Sequence, residues 1–308
     1  MLGFLNVLKP PGMTSHDVVD FIRRLVGTKQ VGHAGTLDPG AAGVLVVGVG
    51  FAVRLFEFMA DASKSYRAQF TFGIETDTGD AQGEITRQAD ANDITEAEVR
   101  RALQNFIGDL DQQPPAFSAV HVGGTRLHQL ARRGIAIEAP LRRVTVSRLD
   151  LLSMHNSEAL LDLDCSTGTY VRSLAMDLGT RLGCGAHLSF LLRTRVGNFR
   201  LADSATLEEL ADAAERNALH EHIIVPRAAL APIEVVRVNA AQRDRVEHGA
   251  AIRCESNGSA AAHRDHDAIP PHALIEDESG LLLAIARGQR DGDGLFWQPA
   301  KVNPEVAG

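Results

Sequence analysis

The 308-residue chain has only three cysteines, Cys165, Cys184 and Cys254, and no CxxC pair among them. That excludes a zinc ribbon and a disulfide framework and leaves buried free thiols as the expectation. No stretch nears the 18 or so uninterrupted apolar residues that a membrane span requires. The opening MLGFLNVLKPPGMTS is apolar for only a few positions before Lys9 and two prolines, so it lacks the h-region of a secretory signal, and a cytoplasmic protein is expected. No GxxxxGK(S/T) phosphate loop occurs. Gly48 and Gly50 begin a GxG, but Val53 stands where the next glycine of a dinucleotide fingerprint belongs. An overall basic charge is also missing: the net charge is −8, which offers no global attraction for a nucleic acid.

The distribution of charge is more informative than its sum. Ten carboxylates face three arginines between positions 75 and 111, whereas six arginines face Glu138 alone between 121 and 148. A basic segment therefore follows an acidic one, and local patches decide whether a chain binds RNA. Hydrophobic residues make up 44% and charged residues 23%, ordinary for a globular enzyme, and the length suits one large domain plus a small one.

Local patterns supply the elements. Val18, Ile22 and Leu25 follow Ser15 at helical spacing, and Gly27 closes that helix. VLVVGVG at 44–50 reads as a buried strand, and Tyr66, Ala68, Phe70 and Phe72 alternate as a half-buried one. Thr95 with Glu98 and Thr206 with Glu209 form capping boxes that start helices. Leu161, Leu163 and Cys165 alternate with polar residues, and after Thr167-Gly168 a helix carries Val171, Leu174, Ala175, Leu178 and Leu182. Strands and helices interleave without a βαβ rhythm, which predicts an α+β fold with a mixed or antiparallel sheet and flanking helices. Near Pro226–Pro232 the character changes. The remainder holds one short helix (240–248) and strand-like runs at 273–276, 281–286 and 295–302, and reads as a small β-rich domain over 232–308. His263, His266 and His272 are too irregularly spaced to predict a metal site.

The segment with chemical content is VGHAGTLDPGAAGVLVVGVG at 31–50. Asp38 sits among Gly32, Gly35, Gly40 and Gly43 on a loop that a buried strand anchors. Glycines permit sharp bends and close approach to a ligand, and a carboxylate on such a loop is well placed for catalysis. Asp-Pro is also a common turn dipeptide, so spacing alone leaves a turn role open.

GHAGTLDPGAAGVL resembles the signature of the TruB family, the bacterial tRNA pseudouridine-55 synthases. Three further segments resemble family motifs in the same order: KPPGMTS at 9–15, SKSYRAQFTFGIETDTGDAQG at 63–83, and STGTYVRSLAMDLGTRLGCGAHLSFLLRTRVGNF at 166–199. The likeness covers most of residues 3–230. Residues 232–308 are similar, less sharply, to the RNA-binding PUA-like domain that ends many members. The resemblance implies a catalytic domain over 1–231, with an RNA-clamping insertion at about 118–148, and a PUA-like domain over 232–308. It implies isomerisation of uridine 55 in the tRNA T-loop, with base flipping and Asp38 as nucleophile. Attack at C6 of the base and at C1′ of the sugar both stay open.

By the same resemblance Arg172 pairs with Asp38, Tyr66 stacks on the target base, Lys64, Tyr170 and Leu191 line its pocket, and His33 fills the gap left in the RNA. Arg126, Arg132, Arg133, Arg142 and Arg143 would contact phosphates, as would Arg193, although LLRTR departs from the family's usual paired arginines. The reaction rearranges one nucleoside without redox change, so neither cofactor nor metal is expected. The expected partner is the tRNA T-arm, with no membrane, no obligate protein partner and a monomeric chain. Two alternatives are a synthase of this fold acting on another RNA, guided or not, and a tRNA-folding chaperone whose catalysis is secondary.

Overall fold

The computed structural model describes residues 1–59, 62–115, 117–118, 120–122, 125–127, 139–253, 271–291 and 294–306. In chain order the elements are β1 (Gly3–Lys9), α1 (Ser15–Val26), β2 (Val31–His33), β3 (Ala42–Val49), a 3-10 segment (Gly50–Met59), β4 (Lys64–Phe72), β5 (Ile74–Thr76), β6 (Ile85–Gln88), α2 (Glu96–Leu103), β7 (Gly108–Gln112), β8 (His121–Val122), β9 (Thr125–Arg126), β10 (Arg142–His155), β11 (Glu158–Cys165), α3 (Val171–Leu182), β12 (Ala186–Val196), β13 (Phe199–Arg200), α4 (Leu207–Glu215), α5 (Pro226–Ala229), β14 (Glu234–Val238), α6 (Ala240–Glu247), β15 (Ile252–Arg253), β16 (His272–Asp277), β17 (Leu282–Asp291) and β18 (Gly294–Val302).

The main sheet runs β1-β3-β12-β4-β11-β10-β7, with β2 added to β3 and β13 to β12. Its pairings are antiparallel except β12 with β3, so the sheet is mixed, as the interleaved signals predict. The alternation read in β4 is real. Tyr66, Ala68, Phe70 and Phe72 point into one core with Leu161 and Leu163 of β11, and α2 and α3 cover it with Val99, Leu103, Leu174 and Leu178. At the β1–β3 end, α1 and α4 bury Val18, Ile22 and Leu210 against Leu5, Leu45 and Val47. β3 alternates too: Val44 and Val46 belong to a third cluster, on the opposite face.

Both capping boxes form, with Thr95 and Thr206 accepting the N–H of Glu98 and Glu209. The first helix begins at Ser15, as its apolar repeat suggests. Thr14 is the cap, in a box with Asp17, and Gly27 ends the helix in the left-handed region. Ser15 is thereby free for another task.

Two strands are not evident from periodicity. β10 spans 14 residues and carries two register shifts, which break its alternation. It begins at Arg142, so Arg142 and Arg143 stand on the main sheet. β14 is short and partly exposed, and pairs in parallel with β16. It opens a five-stranded sheet, β14-β16-β17-β18-β15, closed over Trp297, Ile275 and Leu283. This sheet is the β-rich unit expected after residue 232. Among the described residues no helix is long and apolar enough to cross a membrane.

Candidate active site

Asp38 is presented by a loop whose neighbouring peptide groups are nearly all held from outside. On one side, the β1–α1 connection clamps it. Ser15 Oγ accepts the Leu37 N–H at 2.9 Å and donates to the Leu37 carbonyl at 3.0 Å. The Gly12 N–H and the Lys9 ammonium both donate to the Pro39 carbonyl, at 2.8 and 3.3 Å. Lys9 also donates to the carbonyls of Pro10 and Met13. On the other side, the Arg193 guanidinium donates to the carbonyls of Val44, Thr36 and Gly35. Glycine is obligatory at 43: β3 passes so close to β12 that a Cβ there would lie 2.2 Å from the Arg193 carbonyl oxygen, and its φ is +113°. A loop fixed at 35, 36, 37 and 39 has little freedom left at 38, the preorganisation an attacking group needs.

Arg172 meets Asp38 from the first turn of α3. Its Nε lies 3.1 Å from Asp38 Oδ2, with the arginine side chain 6% exposed and that of the aspartate 42%. The same guanidinium donates to the carbonyls of Thr78 and Phe117 at 3.0 and 2.9 Å and approaches Asp80 Oδ2 at 3.6 Å. A buried guanidinium lacking such partners would cost several kcal/mol; here every edge of the fork is used. Asp80 is held in turn by Thr78 Oγ1 and the Gln82 N–H. Arg172 therefore ties together the Asp38 loop, the TDTGD turn and the chain just after β7.

The other residues expected to line the pocket lie on β2, β4, β12 and at the N-cap of α3. Tyr66 and Leu191 are buried in the same cluster as Leu37 and Ala41, which flank Asp38 in the chain. Burial pushes the Tyr66 phenol above its ordinary pKa, partly offset by the Arg193 charge, and it stays protonated at neutral pH. Lys64 donates to Thr167 Oγ1 at 3.2 Å and stands beside Gly35; burial, then the Arg193 charge, lowers its pKa. Burial and then Arg193 also lower the pKa of His33, which is neutral at pH 7 on β2 at the entrance to the loop. Tyr170 occupies the N-cap position of α3. Its N–H donates to Gln112 Oε1 at 2.7 Å, and its carbonyl accepts from Gln112 Nε2 at 3.0 Å.

The arginines expected to touch phosphates divide. Arg142 and Arg143 are exposed at the start of β10; Arg142 pairs in register with Gln112, and Arg143 bridges to Asp109 at 3.2 Å. Arg126 lies in β9, paired with His121. Arg132 and Arg133 lie outside the described residues. Arg193 does not face solvent. It is 1% exposed and braces the Asp38 loop, so the expectation of a phosphate contact is replaced by an internal one. Its position in LLRTR carries no sign of this, because the register shift between Arg193 and Arg195 decides which arginine turns inward.

Lys9, Ser15, Asp80 and Gln112 are contributors that residue patterns do not single out. The first three lie inside the quoted motifs, which was the available signal. Gln112 had none. Lys9 is wholly buried, and burial lowers its pKa to about 8, opposed by the nearby Asp38 charge. Among the described residues no group of three or more His, Cys, Asp or Glu side chains could hold a metal ion.

Comparison with known proteins agrees over the whole chain. The family model described as "TruB family pseudouridylate synthase (N terminal domain)" matches residues 23–171, and that of the "tRNA pseudouridylate synthase B C-terminal domain" matches residues 172–236. The tRNA pseudouridine synthase B of Pelotomaculum thermopropionicum is 45% identical over 100% of this chain and 99% of its own. That of Moorella thermoacetica is 44% identical over 98% and 99%. That of Symbiobacterium thermophilum is 52% identical over 81% and 82%. Among solved structures, a chain of a Cbf5-Nop10-Gar1 complex superposes with a TM-score of 0.71 at 25% identity, over 97% of this chain and 84% of that one. A chain of an H/ACA RNP bound to a substrate RNA containing 2′-deoxyuridine gives 0.70 at 24% identity, over 98% and 84%, and shares the fold.

Proposed function

This chain belongs to the TruB family of pseudouridylate synthases, and from that premise we propose that it flips uridine 55 out of the tRNA T-loop and isomerises it through Asp38. The general activity is that of its relatives: the chain is a tRNA pseudouridine synthase, an isomerase acting on tRNA. In the reaction the N1–C1′ bond of uridine breaks, the base turns, and a C5–C1′ bond forms. The C5 proton leaves, N1 ends protonated, and no atom is gained or lost, so the chemistry calls for no cofactor.

The observation that carries this reading is the Asp38–Arg172 pair. One carboxylate oxygen is fixed by a buried guanidinium, while the side chain stays open enough to meet a base. A carboxylate so held is oriented for attack, and a carboxylate is the nucleophile the reaction requires. Tyr66 and Leu191 offer a flat apolar seat for the flipped uracil. Because Tyr66 keeps its proton, it serves as a stacking surface and donor. Lys64 and Tyr170 border the seat, and neutral His33 is small and planar enough to fill the space the base vacates. Extruding a base costs a few kcal/mol. Phosphate contacts from Arg126, Arg132, Arg133, Arg142 and Arg143 would offset it and make affinity fall with salt.

The five-stranded sheet, which begins at Glu234, supports a division into a catalytic domain over 1–231 and a PUA-like RNA-binding domain over 232–308. We further propose a cytoplasmic monomer that works without a protein partner. The test is tritium release from an unmodified T-arm hairpin labelled at uridine C5, by the purified protein alone. Release by wild type and none by Asp38→Asn is expected. Tight binding with no release from hairpin or tRNA would instead favour a chaperone or a partner-dependent synthase.

A further inference from the structure

The Gly48–Gly50 pair, a broken dinucleotide signature by sequence, has a different use in the fold. Gly48 lies directly across from Gly32 in the β2–β3 pairing. A Cβ at Gly48 would sit 2.8 Å from Phe56 Cζ and 3.2 Å from the Val53 nitrogen, and one at Gly32 would touch Val53 and Phe56 at 3.4 and 3.5 Å. The two glycines form a notch in which the 3-10 segment Gly50–Met59 rests. Gly50, at φ +64°, turns the chain out of β3 into that segment. Directly beyond the notch, β2 delivers His33, and the Ala34 N–H donates to the Val46 carbonyl at 2.9 Å. The chain then enters the Asp38 loop.

The other side of the same segment meets the C-terminal sheet. Phe51, Ala52 and Leu55 share one core with Val44, Val46, Leu274, Leu282 and Ile285. The Phe58 ring meets His272 edge-on at 4.8 Å. Lys301 ion-pairs with Glu57 and donates to the Arg54 carbonyl at 3.3 Å. Phe56 is the residue in the notch and also packs on Phe4 of β1, with ring centroids 5.8 Å apart.

We propose that the segment 50–59 is a strut through which the C-terminal sheet positions the Asp38 loop, with Phe56 as the positioning residue. The C-terminal sheet then contributes to the chemical step as well as to RNA binding, because closely packed interiors transmit displacement. This rests on the pseudouridine-synthase reading above. Phe56 touches no substrate, and its effect passes through Gly32 and Gly48 to β2 and β3.

The test is single-turnover tritium release from the T-arm hairpin under saturating protein, which removes binding from the rate, for wild type, Phe56→Ala, Phe56→Leu and Phe58→Ala in the full chain. A displacement of about 1 Å at reacting groups costs up to about a hundredfold in rate. The Phe56→Ala rate constant should therefore fall about tenfold to a hundredfold, with reaction amplitude and hairpin Kd near wild type. Phe56→Leu should recover most of the loss, and Phe58→Ala should show a smaller fall. A folding defect would lower amplitude and leave the rate constant alone. If Phe56→Ala does not fold, the fall expected for Phe58→Ala decides. Unchanged rate constants in folded variants, or losses confined to amplitude or affinity, would overturn the strut while leaving the activity intact. An inactive wild type would remove the functional reading itself.

Discussion

Asp38 and Arg172, the one on a glycine-rich loop and the other on the first turn of α3, meet at 3.1 Å with only the aspartate open to solvent. The asymmetry separates two consequences of changing either partner. In Asp38→Asn, Arg172 keeps Asp80 and two carbonyls, so stability should change by no more than about 1 kcal/mol. RNA affinity should persist while tritium release disappears. Chemical denaturation, hairpin titration and the release assay on one preparation check all three, and near wild-type release would remove Asp38 as nucleophile.

Arg172→Lys keeps the charge and loses the fork. An ammonium on an unbranched stem cannot hold Asp38 and also reach the carbonyls of Thr78 and Phe117 in their planar arrangement. The single-turnover rate should drop on the order of a hundredfold. A lysine variant as fast as wild type would mean that charge alone matters at this position.

Arg193→Gln and a double change at Arg132 and Arg133 to Gln should behave oppositely toward salt. The slope of log Kd against log salt counts neutralised phosphates. Arg193 faces the loop carbonyls, so its variant should lose rate and stability while keeping the wild-type slope. The Arg132/Arg133 variant should flatten the slope and leave the saturated rate alone. A flattened slope for Arg193→Gln would restore it as a phosphate ligand.

Lys9 gives a pH signature. Its pKa is near 8 in the fold, against 10.5 for the free side chain. Below pH 8 it is protonated in both the folded and unfolded states, and burial of the charge weighs fully against folding. Between 8 and 10.5 the unfolded chain holds the proton that the folded chain has released, so stability rises with pH, by at most about 1.4 kcal/mol per unit. Urea unfolding at several pH values should show wild type gaining on Lys9→Met across this window. Parallel curves would mean that Lys9 is not desolvated as its burial implies.

Much of this architecture was readable before folding. β4 and β11 declare themselves by strict alternation, and α2 and α4 by their capping boxes. β10 does not, because its bulges displace the alternation on which such reading depends. The candidate nucleophile and its arginine were legible through motifs that resemble a known family, and the structure brings those two side chains into contact.

By itself the sequence determined the capped helices, the strands that alternate strictly and which loop presents Asp38, since these follow from side-chain periodicity, capping and glycine content within a few residues of chain. Only the tertiary structure decided that Arg193 turns inward while Arg142 and Arg143 face solvent, that Lys9 and Ser15 clamp the loop from the far side, and that Gln112 grips Tyr170. The contacts of Arg193, Lys9, Ser15 and Gln112 are hydrogen bonds between segments distant in sequence. Their geometry depends on strand register and on which carbonyls burial deprives of water, and neither is written in local pattern.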